Sequence, residues 1–382
     1  MRILYVSSSN VVGGGSVALL NLVRGVMAAG HEVMVATTSD KGDFAQMLSD
    51  TGCQVRHCHH RLSVYPYGTG WQFLPRLLKM VLDNWRGRRE LERVMRDFQP
   101  DIVHTNVGPM DAAFDVCQRL GIKHVWHQRE YQDLDFGYSF FPSIKTFMRK
   151  SHAQGNYNIC ITNGVFAHRH FRRGVDRVIY DGVFPQSACK QSTQQPKEDY
   201  VLFAGRIEEA KGVLDLLHAF VDVHQRYPTC QLRLAGRYVE QSTSYQQCMQ
   251  LIKAEGLADA VQFLGERRDV YDLMKHARML VVPSRFEGFG FITAEAMLNG
   301  CPVVGRDTAG TKEQFDKGLE YAGGEIGLRF KNNQELYAAM CRAMDEPMEG
   351  MCERAFRTVE HFYTREEHVR QVLAYYEEIL ND

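Results

Sequence analysis

The chain of 382 residues has no long apolar run, no excess charge of one sign and no paired-cysteine spacing. Without roughly 20 consecutive apolar residues, no membrane-spanning helix is expected. The 45 Lys and Arg nearly cancel the 46 Asp and Glu, giving a net charge of -1, so global electrostatics argue neither for nucleic acid nor for an acidic partner, and no nucleic acid is expected. The ten cysteines are scattered, with no C-x-x-C pair, and most sit in apolar strand or helix patterns. They read as reduced thiols, which makes the cytoplasm the expected compartment. The opening MRILYVSSSN runs straight into a strand pattern, with no charged and apolar leader, so no secretory signal is expected. HCHHR at 57–61 lacks a second ligand cluster and reads as a loop at a strand end rather than a metal site.

What is present is alternation. Short β-rich runs such as RILYVS (2–7), DIVHTN (101–106), YVLFAGRI (200–207) and MLVVPS (279–284) are separated by helical patterns. Continuous apolar strands between helices imply parallel sheets covered on both faces. A polar stretch without periodicity, FPQSACKQSTQQPKE (184–198), has the composition of a linker. The expected architecture is α/β, with doubly wound domains at 1–183 and 199–360 and a ligand cleft between them at the carboxyl ends of the strands. The final helix, within 361–382, opens on a capping box formed by Thr364 and Glu367. Its apolar stripe of Val369, Val372, Leu373, Tyr376 and Leu380 requires a packing partner.

Chemistry concentrates at several strand ends. In NVVGGGSVALLNLV (10–23), strand one gives way to glycines and a helix start; this is either a tight turn or an anion site at the helix N-terminus. In LFAGRIEEAKGV (202–213), Arg206 and Lys211 follow a strand, either as solvated cations or as a planar fork and a point charge for a diphosphate. In SRFEGFGFITAEAMLNGCPVVG (284–305), Glu287 and Glu295 flank a helix start marked by Gly288, Phe289 and Gly290. Carboxylates repel phosphate but accept hydrogen bonds from sugar diols; alternatively Glu287 is an acid favoured by the helix dipole. His127 ends a strand in HVWHQREYQDLDFG (124–137), as a structural or a functional histidine. The string DLD (133–135) is too short to signal a metal site. Residues 71–89 combine Trp71, Phe73, Leu74, Leu77, Leu78 and Trp85 with Arg76, Lys79, Arg86, Arg88 and Arg89, which suits either core packing or a membrane interface.

Five strings in order resemble glycosyltransferase family 4, the retaining nucleotide-sugar transferases of the GT-B fold: VVGGGSVALLNLV, PDIVHTN, VIYDGV (where the family usually has Asn at position 181), FAGRIEEAKGV and EGFGFITAEAMLNGCPVVG. The resemblance implies a hexosyl transfer from a nucleoside diphosphate sugar, without metal or cofactor. Under it Arg206 and Lys211 bind the diphosphate, Glu287 holds hydroxyls of the transferred sugar and Glu295 the ribose diol. Amides of Phe289 and Gly290 meet sugar or phosphate, Gly14 and Gly15 approach the phosphate from the first domain, and His127 lies near the transferred sugar. The first domain then binds the acceptor, a glycan or a lipid-linked saccharide at the inner membrane face, and the last helix crosses back onto it. A GT-B epimerase and a non-catalytic sugar-nucleotide-binding subunit are the competing readings.

Overall fold

The computed structural model describes residues 1–9, 13–39, 41–190 and 195–382. The first three residues of the glycine segment (10–12), Asp40 and linker positions 191–194 lie outside the described residues. The chain divides into two compact units, Met1–Gly182 with Arg365–Asp382, and Val183–Thr364.

The first unit contains β1 (Arg2–Ser7), β2 (Glu32–Thr37), β3 (Gln54–His57), β4 (Val64–Pro66), β5 (Ile102–Asn106), β6 (Lys123–Gln128), β7 (Tyr138–Phe140), β8 (Asn156–Cys160) and β9 (Arg177–Val178). Seven of these form a sheet in the order β3-β2-β1-β5-β6-β8-β9, and its strand pairs are parallel. β5, β8 and nearly all of β1 are buried throughout, as strands covered on both faces must be. The order reverses between β1 and β5, so the loops leaving these two strands diverge and open a crevice. β4 and β7 form a separate antiparallel pair.

The second unit contains β10 (Glu198–Ala204), β11 (Gln231–Ala235), β12 (Val261–Gly265), β13 (Ala277–Val282), β14 (Val303–Arg306) and β15 (Leu328–Phe330). They are parallel in the order β12-β11-β10-β13-β14-β15, which reverses between β10 and β13. The sequence pattern does not mark β4, β7, β9 and β15. Each has two or three residues, too few for a period to register.

The last helix runs Arg365–Asn381 and belongs to the first unit, whereas residues 361–364 stay with the second, at the end of the helix Glu349–Phe362 and just after it. Its buried face is Val369, Val372, Tyr375, Tyr376 and Ile379; Leu380, expected in the stripe, is exposed. The spacing of three and four keeps Ile379 in phase and carries Leu380 off the contact face. The partner is the helix Gly14–Ala28, where a Cβ on Gly25 would stand 2.3 Å from Val369. A larger residue at position 25 would separate the two helices. All ten cysteines are free, and no helix among the described residues is long and apolar enough to cross a membrane.

Candidate active site

In the second unit the sequence-predicted residues gather where the strand order reverses. Arg206 and Lys211 lie in the loop leaving β10, and Glu287 to Glu295 follow β13. Lys211 closes a short turn of 3-10 helix, Glu209–Lys211, and Gly212 follows at φ +68. A Cβ at Gly212 would fall 2.2 Å from the Pro283 carbonyl, so only glycine lets the two loops approach this closely. That approach sets Lys211 Nζ 2.6 Å from Glu287 Oε1, both side chains being largely shielded from solvent. Arg206 is exposed and its Nη1 donates to Glu208 Oε1 at 2.9 Å, so the structure keeps it apart from the Lys211–Glu287 pair.

Gly290, at φ +88, caps the helix Phe291–Leu298, and the left-handed conformation turns the chain from loop into helix. Gln314 Nε2 donates to the carbonyls of Phe289 (2.7 Å) and Gly290 (3.0 Å), pinning the turn. Phe289 is buried against Phe291 and Tyr363, so it anchors the loop, while Gly288 stays partly exposed. Glu295 is half-buried and accepts from the Tyr271 hydroxyl at 3.1 Å. Burial pushes its carboxyl up, and the Tyr271 hydrogen bond partly offsets that. The result is an anion-favouring helix start, one oriented ammonium group and two carboxylates, which can hold a phosphate beside hydroxyl groups.

The first unit is built differently. Gly14 is exposed and Gly15 half-exposed, and the Gly13 amide is committed to Ser16 Oγ at 2.7 Å. Asn106 at the end of β5 donates to the Gly15 carbonyl (3.2 Å) and accepts from Arg129 Nε (2.7 Å). Arg129 forms a buried ion pair with Asp181. His127 is fully buried inside this network rather than at an open strand end. The cause is the chain around it: His104, Arg129, Asp181 and His368 all pack against the ring.

Arginine only donates, so the 3.3 Å contact from Arg129 Nη2 makes His127 Nδ1 an acceptor and puts the proton on Nε2. His104 Nε2, 3.2 Å from the same atom, donates to it, and His104 Nδ1 accepts from the Tyr376 hydroxyl at 2.5 Å. Burial first, then the Arg129 charge, hold both histidines well below their ordinary pKa, so both are neutral. His127 Nε2 and His368 Nε2 each lie 4.0 Å from Asp181 Oδ1, and neither nitrogen has a hydrogen-bond partner among the described residues.

The sequence reading missed Glu130 and the reach of Asp181. Glu130 is half-buried just beyond β6; burial raises its carboxyl to about 7, while Gln132 Nε2 donates to it at 2.7 Å. Position 181 did carry a signal, because Asp stands there where the family pattern has Asn. The two acids of DLD have local duties: Asp133 pairs with His168 and Arg169, and Asp135 accepts from the Tyr131 amide.

Residues 12–186 match the family described as Glycosyltransferase Family 4, and residues 186–355 match Glycosyl transferases group 1. The lipopolysaccharide core biosynthesis mannosyltransferase LpsB of Rhizobium meliloti is 27% identical over 39% of this chain and 43% of its own length. The lipopolysaccharide core biosynthesis mannosyltransferase LpcC of Rhizobium leguminosarum is 25% identical over 56% of this chain and 61% of its own. The chain thus spans less than two thirds of either curated relative. Among solved structures, a glycosyltransferase from Rickettsia africae aligns with TM-score 0.79 at 16% identity, covering 100% of this chain and 99% of that one. HepE of Anabaena, solved with UDP and glucose, aligns with TM-score 0.74 at 19% identity, covering 98% of each chain. Two adjoining family matches across nearly the whole chain, on two doubly wound sheets of this kind, place the protein among the family 4-type glycosyltransferases of the GT-B fold.

Proposed function

We propose that the protein is a retaining glycosyltransferase that moves a hexosyl group from a nucleoside diphosphate sugar to a glycan or lipid-linked acceptor, without a metal or cofactor. The observation that carries the reading is the Lys211–Glu287 pair beside the Gly290 helix start, at the strand-order reversal of the second unit. Lys211 and Arg206 stabilise the departing diphosphate as negative charge builds on it, and the helix N-terminus adds amide donors. Glu287 receives hydroxyls of the transferred sugar and Glu295 the ribose diol. The leaving phosphate takes the acceptor proton on one face of the sugar, which accounts for retention without a nucleophilic carboxylate. The relatives named for lipopolysaccharide core synthesis support a cell-surface carbohydrate as context.

The direct test is incubation with a panel of nucleotide sugars. Slow release of nucleoside diphosphate and free sugar is the expected result. An isomeric sugar, or binding without turnover, would replace this reading with an epimerase or a binding subunit.

The acceptor end is proposed to work at the inner membrane face. Trp71, Leu74 and Leu78 are 79%, 59% and 62% exposed along the start of the helix Leu74–Phe98, with Leu82 and Trp85 continuing the stripe. Arg89 lies over the Trp85 ring at 3.8 Å, and Arg86 adds further charge. Exposed apolar side chains rimmed by cations favour an anionic lipid surface. Phe73, grouped with Trp71 in the sequence reading, instead packs inward near Tyr65. The variant to compare is therefore Trp71→Ser/Leu78→Ser, expected to lose at least about tenfold affinity for phosphatidylcholine–phosphatidylglycerol vesicles in co-sedimentation, since burying two large side chains is worth about 3 kcal/mol or more. Unchanged sedimentation would remove the membrane from the proposal.

A further inference from the structure

Glu295 lies on the helix Phe291–Leu298 between buried neighbours, Ala294, Ala296, Met297 and Leu298. That helix packs against Val270–His276, the helix that joins β12 to β13. Tyr271 stands on the joining helix, and its hydroxyl donates to Glu295 Oε1 at 3.1 Å. The tyrosine is 43% exposed, so its ring stands at the surface beside the carboxylate. Glu295 Oε2 has no hydrogen-bond partner among the described residues.

Other shielded carboxylates of the second unit meet a cation. Glu287 is met by Lys211, Asp215 by Arg306 and Asp307 by Arg329. Glu295 is met by a neutral hydroxyl. No charged group among the described residues acts on its titration, either from the helices Val270–His276 and Glu349–Phe362 or from β13 and β14, which all pack against its helix. Asp272 and Lys275, one turn along from Tyr271, pair with each other. The difference matters for binding. A cation would satisfy the carboxylate and compete with any ligand for it. A hydroxyl occupies one of about four lone pairs and leaves the negative charge unanswered. It also fixes the plane of the group, because the terminal torsion of an untethered glutamate is broad. A tethered carboxylate with one oxygen open suits two adjacent hydroxyls of a ligand.

We infer that Tyr271 is a positioning residue for the nucleotide: it holds the Glu295 carboxylate ready to accept both hydroxyls of a ribose, and so favours a ribonucleoside diphosphate over its 2′-deoxy form. The inference rests on the transferase reading and adds the side chain that sets its ribose end.

Tyr271→Phe keeps the ring and removes only the hydroxyl, and two measurements on the full chain decide its role. The first needs no ligand. Glutamate is labelled with carbon-13 at the side-chain carboxyl, and the Glu295 resonance is assigned through Glu295→Gln. The hydroxyl stabilises the ionised carboxyl and burial opposes it, so Tyr271→Phe should raise the midpoint of the Glu295 titration. An unchanged midpoint overturns the inference. The second measurement is calorimetric titration with UDP, GDP and ADP, followed by the tightest of the three against its 2′-deoxy form. Wild type should prefer the ribonucleotide by about tenfold or more, the contribution of one hydrogen bond to a charged group. Tyr271→Phe should weaken the ribonucleotide by roughly fivefold and the deoxynucleotide less, so the preference shrinks. A merely structural role would weaken both alike. In the Glu295→Gln background Tyr271→Phe should have no further effect, because its contribution passes through that carboxylate. Nucleotide binding with an unaltered ribose preference in Tyr271→Phe, or losses that add in the double variant, overturns the role of Tyr271 and leaves the transferase reading standing. If none of the three nucleotides binds, the transferase reading falls and the ribose role falls with it.

Discussion

Lys211→Gln should slow glycosyl transfer by roughly 10² to 10³-fold while leaving the protein folded. The rate effect follows from where the charge is needed. In the transition state the diphosphate gains negative charge, and a preorganised donor contributes far more there than in the ground state. Lys211 is preorganised by two contacts, the Gly212 turn against Pro283 and the 2.6 Å bond to Glu287. Stability should fall modestly, by about 1–3 kcal/mol, because the pair is partly shielded and Glu287 loses a charge-assisted hydrogen bond. The loss in kcat should persist at temperatures where the variant is fully folded. Arg206→Gln should cost less, since that side chain is exposed and pairs with Glu208. Glu287→Gln is expected to lower kcat as well, through the sugar hydroxyls and through looser placement of Lys211. Glu295→Gln should instead raise KM, because the ribose diol is held equally in ground and transition states. Wild-type kinetics in Lys211→Gln would show that the diphosphate lies elsewhere.

The grouping of the candidate residues in the second unit was legible in the sequence because it is local. Glu287, Gly290 and Glu295 sit on one strand–loop–helix, and the glycines and apolar run announce where that helix begins. Lys211 meets Glu287 across 76 positions, yet both follow strands whose adjacency the α/β pattern already implies. The fold was legible for the same reason, down to strands of four residues. The first unit was harder to read. Its network joins Tyr5, His104, His127, Asp181 and Tyr376, and the His104–Tyr376 bond spans 272 positions. No local period encodes such a contact, so His127 looked like a strand-end group when it is enclosed. A cavity lined by Arg76 and Lys79 was hidden in the same way. Its lining comes from five separated segments, at 8, 38, 59–66, 73–83 and 138, and in sequence these cations belonged to a stretch suited to core packing or to a membrane interface.

Asp181→Ala is expected to destabilise the first unit by about 3–5 kcal/mol, the cost of leaving one charge of a buried pair without its partner. Both side chains are almost wholly buried. Arg129 cannot shed its proton, so the uncompensated guanidinium has no inexpensive state. The consequence extends beyond the pair. Arg129 also holds Asn106, which holds the Gly15 carbonyl, and it donates to His127 Nδ1. Loss of Asp181 therefore loosens the glycine loop and removes the carboxylate that faces His127 Nε2 and His368 Nε2. Asp181→Asn keeps an oxygen for Arg129 and should cost less than Asp181→Ala, which separates the hydrogen bond from the charge. Arg129→Met/Asp181→Leu removes both charges and should be milder than the sum of the single changes, giving a coupling energy within the 0.5–3 kcal/mol found for contacting residues. Because the chain has two units, the measurement is the transition that the variant shifts in a thermal scan rather than one global midpoint. If Asp181→Ala melts with the wild type, the pair is solvated in solution. The link from Arg129 through Asn106 to the glycine loop then contributes nothing to holding that loop.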